Sequence, residues 1–215
     1  MKTKIYTQLS KSYIVILVMI IAPFLGYFDR NFSYFFGLTI AGLLLWSSQY
    51  HWSLFGFGKK INKRTIVRGI IYASILYAIF IPIDSIIESY LGKANLSSLA
   101  GIEGNFINYI ITLIVIWIFA AFGEEFLFRG FYLKGLVSLF GNTKKAWYLG
   151  IVIVSLYFSV SHIYQGITGV VQIFPLALIY SIIFYKNKEN LSLLVIMHGF
   201  HDTIALTLLY LGLYR

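Results

Sequence analysis

Seven apolar runs, near 13–28, 33–55, 66–91, 105–123, 147–163, 168–185 and 190–213, occupy most of this 215-residue chain and leave only short polar stretches between them. Each is near the ~20 residues that a helix needs to cross a hydrocarbon core, although the first and several later ones are short. Only 12% of the residues are charged, against about 25% in a soluble domain. The chain therefore reads as an all-α, polytopic membrane helical bundle. Its length suits one unit of six to eight transmembrane helices, with seven the best count.

Charge sorts the loops. Lys2, Lys4, Lys11, Lys59, Lys60, Lys63, Arg64, Arg68, Lys134, Lys144, Lys145, Lys186 and Lys188 fall on one side of a seven-helix arrangement, and only Arg30, Lys93 and Arg215 on the other. Cytoplasmic loops carry the excess of Lys and Arg, so the N-terminus is expected in the cytoplasm and the C-terminus outside. This asymmetry also accounts for the net charge of +9, which would otherwise suggest nucleic acid. The basic start followed by an apolar run looks like a signal peptide, but no small-x-small cleavage site follows and Pro23 sits inside the run; an uncleaved first helix is expected. Cysteine is absent, which excludes disulfides, thiol catalysis and Cys-based zinc sites.

Against this background Glu124, Glu125 and Arg129, in GEEFLFRGF at the end of the fourth run, need a reason. Each ionisable side chain at membrane depth costs roughly 2.5–3.5 kcal/mol even on the lenient insertion scale, and the usual reason for keeping one is a site facing the protein interior. Glu125 and Arg129 stand four apart and can pair on one helical face. Glu124 points about a third of a turn away, free to face a cavity. Desolvation and a nearby guanidinium pull such a carboxyl in opposite directions, a combination that can hold a general base near working pH.

Two further polar clusters follow: Phe158 and His162 in YFSVSH, and His198 and Asp202 in MHGFHD, the latter again on one helical face. Helix arithmetic allows all three to meet. Glu124 precedes the Asn142–Lys145 turn by about as many residues as His162 follows it, and His198 stands roughly 15 Å up from Lys188 at 1.5 Å per residue. The same arithmetic exposes a strain, because a continuous helix over 105–140 would be ~54 Å long against a ~30 Å core. A break near Gly130 or Gly135, or a projecting Phe131–Phe140 end, is expected. Gly166 and Gly169 are expected in a turn that stays within the membrane. Each cluster also has a plainer reading: an internal ion pair, a packing histidine, a metal half-site, an oxyanion-binding pair or a structural contact. Phe158 alone reads as core, and His51, His201 and the tyrosines as packing or interfacial groups.

The three motifs taken together, EExxxR (Glu124, Glu125, Arg129), FxxxH (Phe158, His162) and HxxxD (His198, Asp202), in this order on successive apolar helices, resemble the CPBP family. These are the CAAX proteases and bacteriocin-processing proteins, also called the Abi family of intramembrane proteases. The resemblance covers roughly residues 105–210, with Asp202 where many members have Asn, and LFGFGKK at 54–60 is similar to a glycine-basic stretch often found upstream. It divides the chain into N-terminal transmembrane helices with a basic cytoplasmic loop (1–104) and a catalytic core (105–215) whose cavity lies in the C-terminal four helices. It implies an intramembrane endopeptidase acting on a membrane-associated peptide or a prenylated protein that enters from the membrane or the cytoplasmic face. In one mechanism Glu124 and His162 activate a water while His198 and Asp202 stabilise the oxyanion and Glu125 and Arg129 orient the site. In the other His162, His198 and Asp202 hold zinc. The partners implied are that substrate and membrane lipids, and the compact Lys/Ile/Tyr-rich composition points to a bacterial cell membrane. The alternatives are a non-catalytic membrane immunity or scaffold protein that binds a bacteriocin, and, with less support, a proton-coupled transporter.

Overall fold

Most of the long helices begin on a side chain suited to start them. Asp29 accepts a hydrogen bond from the Asn31 amide at 2.7 Å, Asn62 from Thr65 at 2.9 Å, Asn105 from Asn108 at 3.1 Å, Thr143 from Ala146 at 3.1 Å and Asn190 from Leu193 at 3.3 Å. Such caps satisfy amides that have no partner inside the helix, and each contributes about 0.5–2 kcal/mol. The computed structural model describes residues 1–213, the side chain of Arg30 apart. The external charges expected at Arg30 and Arg215, and the external end of the chain, fall outside that description.

Among the described residues there is no strand. A short helix α1 (Lys2–Leu9) is followed by α2 (Tyr13–Gly26), α3 (Arg30–Ser47) and α4 (Lys63–Leu91). A single rod then comprises α5 (Phe106–Val115), a π-wound segment (Ile116–Leu133) and α6 (Lys134–Leu139), and α7 (Lys144–Ser161), α8 (Gly166–Lys186) and α9 (Leu191–Tyr210) complete the bundle. Seven rods thus occupy the seven apolar runs. Lys63–Leu91, Phe106–Leu139, Ile163–Lys186 and Leu191–Tyr210 are long and apolar enough to cross a membrane, and α1 with α2, bent by 81° between them, adds a fifth candidate. The protein is an integral membrane protein.

The expected break at Gly130 or Gly135 does not occur. The rod runs unbroken through both, and winding relieves part of the excess length. Bonding from i to i+5 puts more residues into each turn than an α-helix has, so the 18 residues from Ile116 to Leu133 rise less. The glycines serve close approach instead: a Cβ at Gly135 would lie 2.1 Å from a methyl of Val15, and one at Gly130 3.1 Å from the Phe55 carbonyl. The turn after α7 is also tighter than expected. His162 caps α7, one turn of 3₁₀-helix covers Ile163–Gln165, and Gly166 starts α8 at φ +84°, leaving Gly169 inside the helix.

The basic stretches gather at one end of the bundle. Lys59 donates to the carbonyls of Asn187 and Lys188, both at 2.8 Å, Arg68 to the Asn187 side chain at 2.5 Å, and Lys134 pairs with Glu189 at 2.8 Å. The glycine-basic loop is a plug for this end. Gly56, at φ +97°, accepts from the Leu191 amide at 3.0 Å, and a Cβ there would meet the Glu189 carbonyl at 2.6 Å. At the opposite end the 92–105 loop is tied down by Asn95 N–H to Gln165 and Gly104 N–H to Tyr210, both at 2.9 Å.

Helix α9 packs against α4 and the π segment, and Gly199 lets it sit close. A Cβ at Gly199 would lie 2.6 Å from two ring atoms of Trp117, whose indole N–H donates to Thr203 at 3.1 Å. Gly199→Ala must displace that ring, and overpacking of this kind costs about 1–3 kcal/mol. The substitution is expected to lower the thermal unfolding midpoint in detergent; an unchanged midpoint would show that Trp117 is not held there.

Candidate functional site

The two neighbouring glutamates have divided labour. Glu125 is fully buried, and its Oε1 accepts from Arg129 Nη1 at 3.0 Å and from His198 Nδ1 at 2.8 Å. Arg129, 1% exposed, also donates to the Ala177 carbonyl at 3.2 Å and Ser181 Oγ at 3.4 Å, and its guanidinium lies over the Phe158 ring at 4.8 Å. Charge on both sides, hydrogen bonds and an aromatic face together make such a pair tolerable away from water. Glu124, one residue earlier, is half-buried and has no hydrogen-bonding partner among the described residues; it stands on the wall of a cavity of about 340 Å³.

The same cavity is lined by Arg129, Phe158, His162, His198 and Asp202. Three clusters far apart in the sequence thus line one cavity. His162 sits where α7 ends, and its Nδ1 lies 2.9 Å from the Phe158 carbonyl. A carbonyl can only accept, so Nδ1 carries the proton and the neutral ring keeps its lone pair on Nε2. The Phe158 ring packs 4.7 Å from the imidazole, so this phenylalanine supports both His162 and Arg129 rather than only filling core. His198 is held at both nitrogens, Nδ1 by Glu125 and Nε2 by Asp202 at 3.4 Å. Asp202 also faces His201 Nδ1 at 3.4 Å.

Among the described residues no group of three or more His, Asp or Glu side chains is placed to hold a metal ion. Nδ1 of His198 is taken up by Glu125, and its Nε2 edge faces Asp202.

The sequence reading missed part of the wall. Besides the C-terminal four rods, α4 contributes Phe80, Asp84 and Glu88, and within the four α8 adds Gln172 and Tyr180. Gln172 donates to Glu88 at 3.4 Å, while Oδ1 of Asp84 is buried without a hydrogen bond. The insertion cost that singles out Glu124 applies equally to Asp84 and Glu88, four apart within the 66–91 run, and would have flagged them. Tyr180 sets its ring edge-on to His198 at 5.5 Å, and His201, read as packing, lines the cavity with its Nε2 buried and unpartnered. No sequence pattern marks these two.

Fold and site together define a polytopic helical membrane protein that encloses an ionisable site, built from three helical motifs, within its bundle. Residues 106–204, a little under half of the chain and including all three motifs, match the family described as "Type II CAAX prenyl endopeptidase Rce1-like". Over this stretch the match supports the CAAX protease (CPBP) family, a family of intramembrane endopeptidases. No curated protein and no solved structure matches it.

Proposed function

We propose that the chain hydrolyses a peptide bond of a membrane-associated peptide or lipidated protein with a water activated by Glu124 and His162. The observation that carries this reading is the contrast between Glu125, whose Oε1 is held by Arg129 and His198, and Glu124, without a hydrogen bond on the wall of the same cavity. Glu124 takes a proton from a water that His162 Nε2 orients, and the oxygen attacks the scissile carbonyl. His198, fixed by Glu125, stabilises the developing oxyanion from the Nε2 edge beside Asp202. Protonated Glu124 then gives its proton to the departing amine, and the C–N bond breaks. Asp202 acts here as an acceptor that orients the two histidines around it. The loop charges support an N-terminus in the cytoplasm, and the Lys/Ile/Tyr-rich composition supports a bacterial cell membrane as the setting.

The test uses purified protein in detergent with a library of membrane-embedded and lipid-anchored reporter peptides. His162→Ala is expected to abolish cleavage while the protein still accumulates in the membrane. A chelator is expected to leave the wild-type rate unchanged; loss of cleavage on chelation, restored by zinc, would overturn the metal-free mechanism. If wild type cut no reporter and its cellular phenotype survived His162→Ala, the chain would be a binding or immunity protein instead.

A further inference from the structure

A second cavity, of about 240 Å³, lies between α1, the start of α2 and the later part of the rod, and no residue lines both it and the first. Its floor is apolar and closed: Val15, Phe55 and Phe131 are each no more than 4% exposed. Leu44 and Leu54 carry that apolar surface outward, and Leu54 is exposed. The rim is polar and basic, with Lys11 and Lys134 beside Ser10, Ser12 and Ser138. None of these three serine hydroxyls has a hydrogen-bonding partner among the described residues, and Ser12, at the start of α2, does not cap it as Asn62 caps α4.

The charge at this end has little to answer it within the protein. Lys11 forms no ion pair among the described residues and lies 5.9 Å from the Tyr13 ring. Lys134 pairs with Glu189, but both are partly exposed, and such pairs are weak. Glu189 is the one carboxylate in loops that hold thirteen of the chain's seventeen Lys and Arg residues. The cavity also stands at the level of a membrane surface. Helix α1 turns 81° from α2, so it crosses the end of the bundle, and Lys2 there lies over the Trp46 and Tyr50 rings at 4.7 and 5.8 Å. Aromatic and basic side chains together are typical of a membrane–water boundary.

We propose that this second cavity binds an anionic phospholipid, with an acyl chain along Leu44, Leu54 and the Phe55–Phe131 floor and the headgroup phosphate between Lys11 and Lys134, where the serine hydroxyls donate to it. An apolar slot beneath a basic rim fits the two parts of one such molecule. A soluble anion would use the rim alone, and a zwitterionic lipid would leave its charge unanswered. Basic pockets between helices on the cytoplasmic side recognise anionic headgroups in this way, and the loop charges turn this end toward the cytoplasm. The site is independent of the protease reading.

The test is native mass spectrometry of the purified protein in neutral detergent, with phosphatidylglycerol and phosphatidylcholine of matched chains added in equal amounts. The thermal unfolding midpoint is read alongside, with each lipid, with inorganic phosphate and with neither. Wild type is expected to retain phosphatidylglycerol in preference and to be stabilised by it, while inorganic phosphate leaves the midpoint unchanged. Lys11→Gln with Lys134→Gln is expected to bind phosphatidylglycerol at least about fivefold more weakly, the attraction of one lysine near an anionic surface. Lys144→Gln with Lys145→Gln removes the same charge from the same end but outside the cavity, and is expected to keep wild-type retention. The lipid-free midpoints report whether each variant folds, and Lys11→Gln alone, at an exposed residue without an ion pair, should weaken retention in the same direction. Equal retention of the two lipids, equal loss in both double variants, stabilisation by inorganic phosphate to the same extent, or a dimer that carries no lipid would overturn the assignment.

Discussion

Glu124→Gln is expected to lower the rate of reporter cleavage by about 10²–10⁴-fold, the contribution of a positioned general base. Glutamine keeps the shape and the hydrogen-bonding reach of the side chain but cannot take a proton from water. Because Glu124 makes no hydrogen bond to another described residue, the substitution breaks no internal contact, and the thermal unfolding midpoint should stay near wild type. The two readings together distinguish chemistry from folding. A variant that retained full cleavage would remove Glu124 from the mechanism, whatever its stability.

Glu125→Ala is expected to fail in the opposite way, through the fold. It leaves the Arg129 guanidinium 1% exposed without its carboxylate and frees Nδ1 of His198. Removing one partner of a buried pair costs about 3–5 kcal/mol, because the remaining charge stays desolvated. The expected result is a large fall in the unfolding midpoint and in the amount of protein recovered from membranes. Replacing both residues, Glu125→Leu with Arg129→Met, should recover much of that stability, since apolar side chains of similar volume often match a buried ion pair. The double variant should nevertheless remain inactive, as His198 has lost the group that fixes it. If Glu125→Ala were as stable as wild type, the pair would not be buried as described.

Much of this arrangement was legible in the chain because the membrane leaves few choices. Seven apolar runs became seven rods, and the Glu125–Arg129 spacing became a pair of 3.0 Å, because a four-residue step keeps two side chains on one face. Rise per residue and turn positions allowed Glu124, His162 and His198 to meet at one height, and all three line the cavity; which helix faces turn toward it was not readable from them. The π winding of Ile116–Leu133 did not follow, since period and composition in an apolar run do not separate i+4 from i+5 bonding. The use of Gly130 and Gly135 as contact points for Phe55 and Val15 was hidden for a different reason: a glycine that permits close approach and one that ends a helix look alike in sequence. Asp84 and Glu88 were readable by the same desolvation argument as Glu124. Tyr180 and His201 depend on which faces of α8 and α9 turn inward, and that is settled only by packing.

The central claim is that Glu124 directs a water onto a peptide bond inside the bundle. The most direct measurement is mass spectrometry of reporter fragments produced by purified protein in isotopically heavy water, with wild type and Glu124→Gln side by side. The mechanism predicts that wild type yields two fragments, that the new C-terminal carboxyl carries one heavy oxygen, and that Glu124→Gln yields almost none. Fragments formed equally by Glu124→Gln would contradict it, as would a wild type that leaves every reporter intact.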